Sequence, residues 1–561
     1  MCSTEVAVLL LCLLSAASAQ VPLRFANIYG DHMVIQRGKP ANVWGYVQDC
    51  SGVTVGFNGK KINATVTIVQ GSNTCQWNAT LPATTKAGPF SITATSGISS
   101  TASITDVLFG DVYFCAGQGN MQFTVVNASA EIAKAQSYPS VRLFTAGLNT
   151  SATPLSEVAQ VLQPWSVGSS VSVNGGNWTY FSAVCWFFGQ YLYDHLQYPV
   201  GLIVSSWNNT PIEAWCSPDV LTKCNSTSLR KKSDRPHPVT VQQSSLTNTK
   251  KVHLDTTQYG EGRSAILKRK SVPMGGEERQ GPRKSHGTHA GSYIRPKAPP
   301  SPSNSSVLWN AMVYPFLNMT IFGVIWYEGG ADALKPNYNC TFPALIADWR
   351  AKWYDSTNKK TSKVFPFGFV QLAGYGTSNA TVGHFPDIRW AQTGNRGFVP
   401  NTLMPNVFMA VATDLGDPSS PAHPGDKQDV GARLVLGARA LGYGESGLYY
   451  SGPIAQNATL SSANPPVVSI TFGQVSPSGL QINAAYPYGY QLQCKGDPKS
   501  ILVNGTLTSF SGSTILVSFP SCPSGTPTSV YYAWLNYPCP FKMCSVYSGD
   551  LPAPPFHLPL K

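Results

Sequence analysis

Apolar residues along this chain follow two different rhythms. Between residues 21 and 105 they alternate with polar ones in short runs, 41–47, 53–57 and 64–69, each broken by Gly, Pro or Asn. Alternation with period two gives a strand one core-facing side and one wet side, and strands at this spacing predict a small β-sandwich. From residue 106 the apolar runs become continuous: 107–109, leading into the apolar stretch that ends at Ala116, then 200–204 and 322–326. Such runs suit strands buried on both faces. Between them, Val184, Trp186, Phe187, Tyr191 and Leu192 recur at helical spacing within 182–196, and 432–441 reads as a last helix. Strands alternating with helices predict a doubly wound α/β domain whose site lies at the C-terminal ends of the strands. The runs 467–472, 501–503, 514–519 and 530–535 return to short strands. The expected order is therefore a β domain over 20–105, an α/β domain over 106–445 and a second β domain over 446–561.

Composition narrows the compartment. Residues 6–14 form an apolar stretch too short to span a bilayer, and Ala17-Ser18-Ala19 has the form of a signal-peptidase site, so 1–19 reads as a signal peptide. Thirteen Asn-x-Ser/Thr sequons fit a glycoprotein that is secreted or lysosomal. Eleven cysteines follow the signal; in an oxidising compartment most pair, and the odd count leaves one over. Cys494, Cys522, Cys539 and Cys544 fall together and are expected to staple one domain. No cysteine or histidine spacing reads as a metal site, and no cofactor is expected. No further apolar stretch is long enough to cross a membrane.

The net charge of +12 is concentrated. Residues 229–303 hold 15 Lys/Arg against five Asp/Glu, a net of +10, so the remainder is close to neutral. That distribution argues against a nucleic-acid partner. The segment lacks cysteine, strings together Lys, Arg, Ser, Gly and Pro, and is expected to be disordered. It is either a basic loop that proteases nick near Lys268-Arg269-Lys270 or translated intron sequence.

The chemistry-bearing positions lie in turns after the buried strands. The first reads Gly117-Gln118-Gly119-Asn120-Met121; the others are Ser206-Trp207-Asn208-Asn209-Thr210-Pro211, Trp326-Tyr327-Glu328-Gly329-Gly330-Ala331-Asp332, and Pro421-Ala422-His423-Pro424. Together with Gly110-Asp111-Val112, Pro211-Ile212-Glu213-Ala214-Trp215, the run 339–346 and the run 551–556, they resemble the sialate O-acetylesterase family of SGNH-type esterases over nearly the whole mature chain. That resemblance implies an SGNH-type (flavodoxin-like) domain between two β domains, and hydrolysis of O-acetyl esters, notably at the 9-position, of sialic acids.

Acyl transfer of this kind needs an activated hydroxyl, a base, a group orienting the base and donors for the oxyanion. By resemblance the nucleophile position is Gly119, where the family has serine; glycine supplies no hydroxyl. His423 matches the base, with Asp417 or Asp414 to orient it. Gln118, Asn120, Asn208, Glu328 and Asp332 fall where the family places oxyanion or substrate contacts. The family's Trp-Gly-Gly-Thr-Pro is here Trp-Asn-Asn-Thr-Pro, which adds bulk and a sequon at Asn208. Its Gln, Glu and Asn in the third turn are here Glu328, Gly330 and Asp332, and an ionised carboxylate cannot donate to an oxyanion. The expectation is a paralogue with little or no serine-esterase activity that binds acetylated sugars through Trp207, Tyr327 and neighbouring polar groups. The alternative is an active deacetylase that uses another nucleophile or a water activated by His423 or Glu328.

Overall fold

The computed structural model describes residues 23–48, 50–69, 71, 73–97, 100–125, 129–174, 181–228, 240–241, 301–376, 384–496, 501–523 and 525–561. The signal segment and nearly all of the basic insert lie outside these residues.

A seven-stranded layer carries the fold. Its strands are β1 (Ser100–Gly117), β2 (Val141–Ala146), β3 (Val161–Val167), β4 (Val200–Ser206), β5 (Gly323–Tyr327), β6 (Phe367–Gln371) and β7 (Val407–Val411). They lie in the order β3-β2-β4-β1-β5-β6-β7. All neighbours run parallel except β3, which is antiparallel to β2 at the edge. The unbroken apolar runs are explained by cover on both faces. From adjacent positions on β1, Tyr113 meets Phe188 of helix α2 (Ala183–Leu196) at 4.8 Å, and Phe114 meets Trp353 of α3 (Tyr338–Ser356) at 5.3 Å. The Ser182 hydroxyl caps α2 by accepting from the Cys185 N–H at 3.2 Å. Cys185 in turn is disulfide-bonded to Cys115 of β1 across 70 residues of chain, a closure worth about 4 kcal/mol.

β1 is longer than the sequence pattern implies. Its first half pairs antiparallel with Phe90–Ser96 of the N-terminal strands, and its second half enters the parallel sheet. The two regimes meet at Asp106, which sits at φ 50° and holds His32 and Arg142 through its carboxylate. Residues from Leu23 to Ala438 form one continuous apolar core, so the junction expected near 105 is a strand shared by two layers.

The C-terminal β domain has its own core, built on Val468, Ile470, Leu492, Ile515, Val517 and Val530. Cys494–Cys522 and Cys539–Cys544 staple it, as the clustering of these cysteines suggests. Five disulfides form among the described residues, and Cys216 is the buried free thiol. The domain is fastened to the loops above β6 and β7. Arg389, fully buried, donates to the carbonyls of Leu372, Ala373, Leu535 and Asn536 at 2.7–2.8 Å, and burial without a carboxylate draws its pKa down to about 9. No helix among the described residues is long and apolar enough to cross a membrane.

Candidate active site

Four segments meet at the C-terminal end of the parallel sheet. β1 ends at Gly117, whose φ of 137° and close approach to the Tyr327 carbonyl exclude a side chain. The strand ends are locked by backbone bonds: Gln118 N–H donates to Tyr327 O and Trp207 N–H to Gly117 O, both at 3.0 Å. Gly119 then opens the single helical turn α1 (Gly119–Gln122).

Gly119 faces a crowded point. A Cβ built on it would lie 2.4 Å from His423 Nε2 and 2.1 Å from Asn208 Oδ1. The histidine and the asparagine therefore converge on the space a nucleophile's side chain requires. His423 is half-buried, and its ring stacks on Phe123 at 6.4 Å with an 18° tilt. Burial, and then the ammonium of Lys427, hold its pKa below the ordinary 6.5. Among the described residues no carboxylate hydrogen-bonds its ring.

This corrects the expected orienting group. Asp417 turns back on its own loop, accepting from Ser419 N–H at 2.8 Å and Ser419 Oγ at 2.6 Å. Asp414 is fully buried and grips Arg433 at 2.6 and 2.9 Å, with Tyr547 Oη donating at 3.2 Å. Asp414 thus anchors the base of the loop that carries His423; neither aspartate reaches the imidazole.

The other turns are rearranged as well. Asn208 is exposed, with its N–H donated to Gln122 Oε1 at 2.7 Å and its amide oxygen over Gly119, while Asn209 adopts φ 56°. Thr210, third residue of the sequon, is buried and donates to Trp207 O at 2.7 Å. The hydrogen-bond network orients the Gln118 amide oxygen onto the third turn, where it accepts from Gly330 N–H at 2.8 Å and from the Gly329 and Ala331 N–H groups at 3.2 Å. Gln118 is thus occupied in bracing that turn. Gly119 and Asn120 N–H make no hydrogen bond among the described residues.

Glu328 and Asp332 depart furthest from expectation. Both are fully buried, neither lining the cleft nor solvated on a loop. Glu328 Oε2 accepts from Tyr338 Oη at 2.6 Å, and Asp332 Oδ2 from Ile212 N–H at 2.9 Å. Glu328 Oε1 has no partner, and Asp332 Oδ1 has only Lys335 Nζ at 3.0 Å, outside hydrogen-bond geometry. Burial first, and the neighbouring Asp332 second, raise the Glu328 carboxyl well above its ordinary value. The two carboxyls sit beneath the turn and cannot contact an oxyanion held at Gly119.

Trp207 and Tyr327 are likewise buried, so neither ring offers an open face for stacking on a sugar. The half-buried ring beside His423 is Phe123. The sequence reading missed Phe123 and missed Lys427, whose ammonium donates to Asn120 Oδ1 at 2.6 Å. A lysine four residues after the histidine carries no signal in the linear sequence, because its partner lies 307 residues away. Asn120 Nδ2 donates to Ala422 O at 3.0 Å, tying the nucleophile turn to the histidine loop.

The chain is similar to known proteins along nearly all of its length. Residues 458–560 match the family model described as the sialate O-acetylesterase C-terminal domain. The chain is 38% identical to the sialate O-acetylesterase of Rattus norvegicus, over 96% of this chain and 94% of that protein. It is 36% identical to the Homo sapiens protein of the same name, over 98% and 95%. A solved carbohydrate acetylesterase from Xanthomonas citri shares the fold with a TM-score of 0.68 at 23% identity, over 96% of this chain and 99% of that one.

Proposed function

The chain belongs to the sialate O-acetylesterase family, and from that premise we propose that it recognises O-acetylated sialic acids at the cleft around Gly119 with little or no serine-esterase turnover. The reading takes the α/β layer as an SGNH-type domain and the cleft at its strand ends as the inherited site. Five disulfides fit an extracellular or secretory-pathway protein; within that pathway we read it as secreted or lysosomal.

One observation carries the loss of turnover. The position that must hold the attacking oxygen is a glycine, and His423 Nε2 and Asn208 Oδ1 have closed on the space its side chain requires. Two features support continued recognition. The strand ends keep their backbone locks, and the Gly119 and Asn120 N–H groups stay free to donate to an ester carbonyl. Phe123 and the Asn208 amide add an apolar face and a polar rim.

A second reading follows from His423, whose Nε2 meets no hydrogen-bonding partner among the described residues. As a neutral base it can take a proton from a water whose oxygen attacks the acetyl carbon, releasing acetate and the sugar hydroxyl.

Acetate release from a 9-O-acetylated sialoside separates the two. The proposal expects background turnover by the natural protein and a gain of about 10² or more on Gly119→Ser, a fraction of the roughly 10⁶ that a triad serine commands. Turnover by the natural protein that His423→Ala abolishes would establish the water route. If the natural protein neither turns over nor binds the sialoside, and Gly119→Ser is inert, recognition itself is refuted.

A further inference from the structure

We propose that Lys427 is the positioning residue of this site: buried behind the His423 loop, it fixes that loop over the nucleophile turn through Asn120 and Phe123 and sets its charge against a second one on the imidazole. The proposal rests on reading the cleft at Gly119 as the functional site, but its test requires neither ligand nor turnover.

Lys427 opens the helix α4 (Lys427–Gly437), yet its side chain is not in water; the residue is 1% exposed. Its ammonium makes three contacts from three elements. It donates to Asn120 Oδ1 at 2.6 Å, and it lies 5.0 Å from the centre of the Phe123 ring and 5.4 Å from that of Tyr327. Two of these contacts reach His423. Asn120 passes the connection on by donating Nδ2 to the carbonyl of Ala422, and the Phe123 ring beneath the ammonium is the ring that stacks on the imidazole. One side chain therefore ties α1, the end of β5 and the histidine loop together.

Packing alone does not explain a lysine here. An apolar side chain of the same length would fill the space without the desolvation cost of an ammonium, which one amide oxygen and two ring faces offset only in part. The imbalance shows in the lysine itself, whose pKa burial lowers to about 7. His423 is held below 6.5, first by burial and then by the Lys427 charge. The order of protonation follows. On acidification Lys427 takes its proton first, and that charge then opposes a second one on the imidazole.

The other charged groups around the pair do not reverse this order. Asp426, next to Lys427, offsets part of the burial cost of the lysine charge and also faces Lys542 Nζ at 3.5 Å; Asp429 holds the same Lys542 at 2.6 Å. Asp417 is committed to Ser419, and the Tyr327 phenol is kept neutral by burial. The nucleophile turn brings no charged side chain. A neutral imidazole presents one donor and one acceptor beside Gly119, whereas the cation would present two donors. The device thus suits a neutral ester and sustains base character in mildly acidic surroundings.

The experiment is the pH dependence of hydrogen–deuterium exchange at the histidine C2 position. It is read peptide by peptide by mass spectrometry on the full chain, for the natural protein, Lys427→Met and Lys427→Arg. The proposal expects a His423 midpoint below 6.5 in the natural protein, raised by about half a unit or more in Lys427→Met and close to the natural value in Lys427→Arg. His557, half-buried in the C-terminal domain, is the internal control and stays put. An unchanged midpoint in Lys427→Met overturns the proposal. So does an equal shift in both variants, which assigns Lys427 a role in shape rather than charge. Should Lys427→Met fail to accumulate, Lys427→Gln removes the charge while keeping an N–H for Asn120 Oδ1 and raises the midpoint; no rise there overturns the proposal equally.

Discussion

Replacing Glu328 by glutamine makes the protein more stable at neutral pH and removes part of its preference for acid. Glu328 and Asp332 are both fully buried; Asp332 Oδ1 pairs with Lys335 Nζ at 3.0 Å, whereas Glu328 Oε1 has no hydrogen-bond partner, an orphan costing about 1–3 kcal/mol. Burial and the neighbouring Asp332 raise the Glu328 carboxyl well above 4.5. A carboxyl whose folded pKa is raised binds its proton more tightly folded than unfolded. Its contribution to stability is therefore complete below the unfolded value near 4.5 and is lost as pH climbs towards the folded value. The loss is about 1.4 kcal/mol for each pH unit between the unfolded and the folded value. Glutamine has no charge to lose, keeps an oxygen for the Tyr338 hydroxyl and offers an N–H to Asp332. Urea unfolding of the natural protein and Glu328→Gln at pH 5 and pH 7 measures the effect as the difference between the two pH dependences. The variant is expected to be more stable at pH 7, with most of its advantage gone at pH 5. An equal pH dependence in both proteins, or a variant weaker at pH 7, refutes the assignment of a raised, buried carboxyl to Glu328.

Two further outcomes test the site frame. In the Gly119→Ser background, Asn208→Gly removes one of the two groups that must retreat by roughly an ångström to admit a Cβ. A urea double-mutant cycle is expected to show favourable coupling of about 1 kcal/mol, and strict additivity would deny that Asn208 occupies the serine's space. Arg389→Met removes four hydrogen bonds to carbonyls of the loop after β6 and of the C-terminal domain. It is expected to cost about 3 kcal/mol or more in urea unfolding, and a loss under 1 kcal/mol would show that the domains do not depend on that staple.

The legible parts of this fold are those in which a short stretch carries its own signal. Ser182 and the apolar spacing behind it mark α2, and the unbroken run 322–326 marks β5, because period and capping are local properties. Arg142 and Gln371 interrupt the apolar runs of the parallel strands Val141–Ala146 and Phe367–Gln371 and are buried by neighbours distant in sequence, while Val407–Val411 is an unbroken apolar run to which the sequence reading assigns no strand. The site divides in the same way. Gly119 and His423 follow from their motifs and do meet. Asp417 does not join them, since an aspartate six residues from the histidine can close a turn on Ser419 at less cost than bending the loop. Glu328 and Asp332 sit in a polar-looking turn whose backbone dips under the sheet end, and no hydropathy pattern announces a buried acid.

The two glycines of the nucleophile turn owe their place to different causes, and the difference bears on what the protein has kept. Gly117 has a backbone that an L-residue adopts at a penalty and a carbonyl where its Cβ would be, so the turn itself demands glycine. Gly119 has neither restraint from its own conformation: it occupies the first position of α1, and only the ends of two flexible side chains crowd it. A serine fits that backbone, so the fold itself does not require glycine at 119. The frame around it does not depend on the missing hydroxyl, because it is held by backbone bonds from β4 and β5, by Gln118 on the third turn and by Lys427 through Asn120. Loss of the nucleophile therefore leaves the cleft standing, with a neutral base and two free backbone donors beside it. Under the proposed function, that combination is what holds an acetyl ester at this cleft.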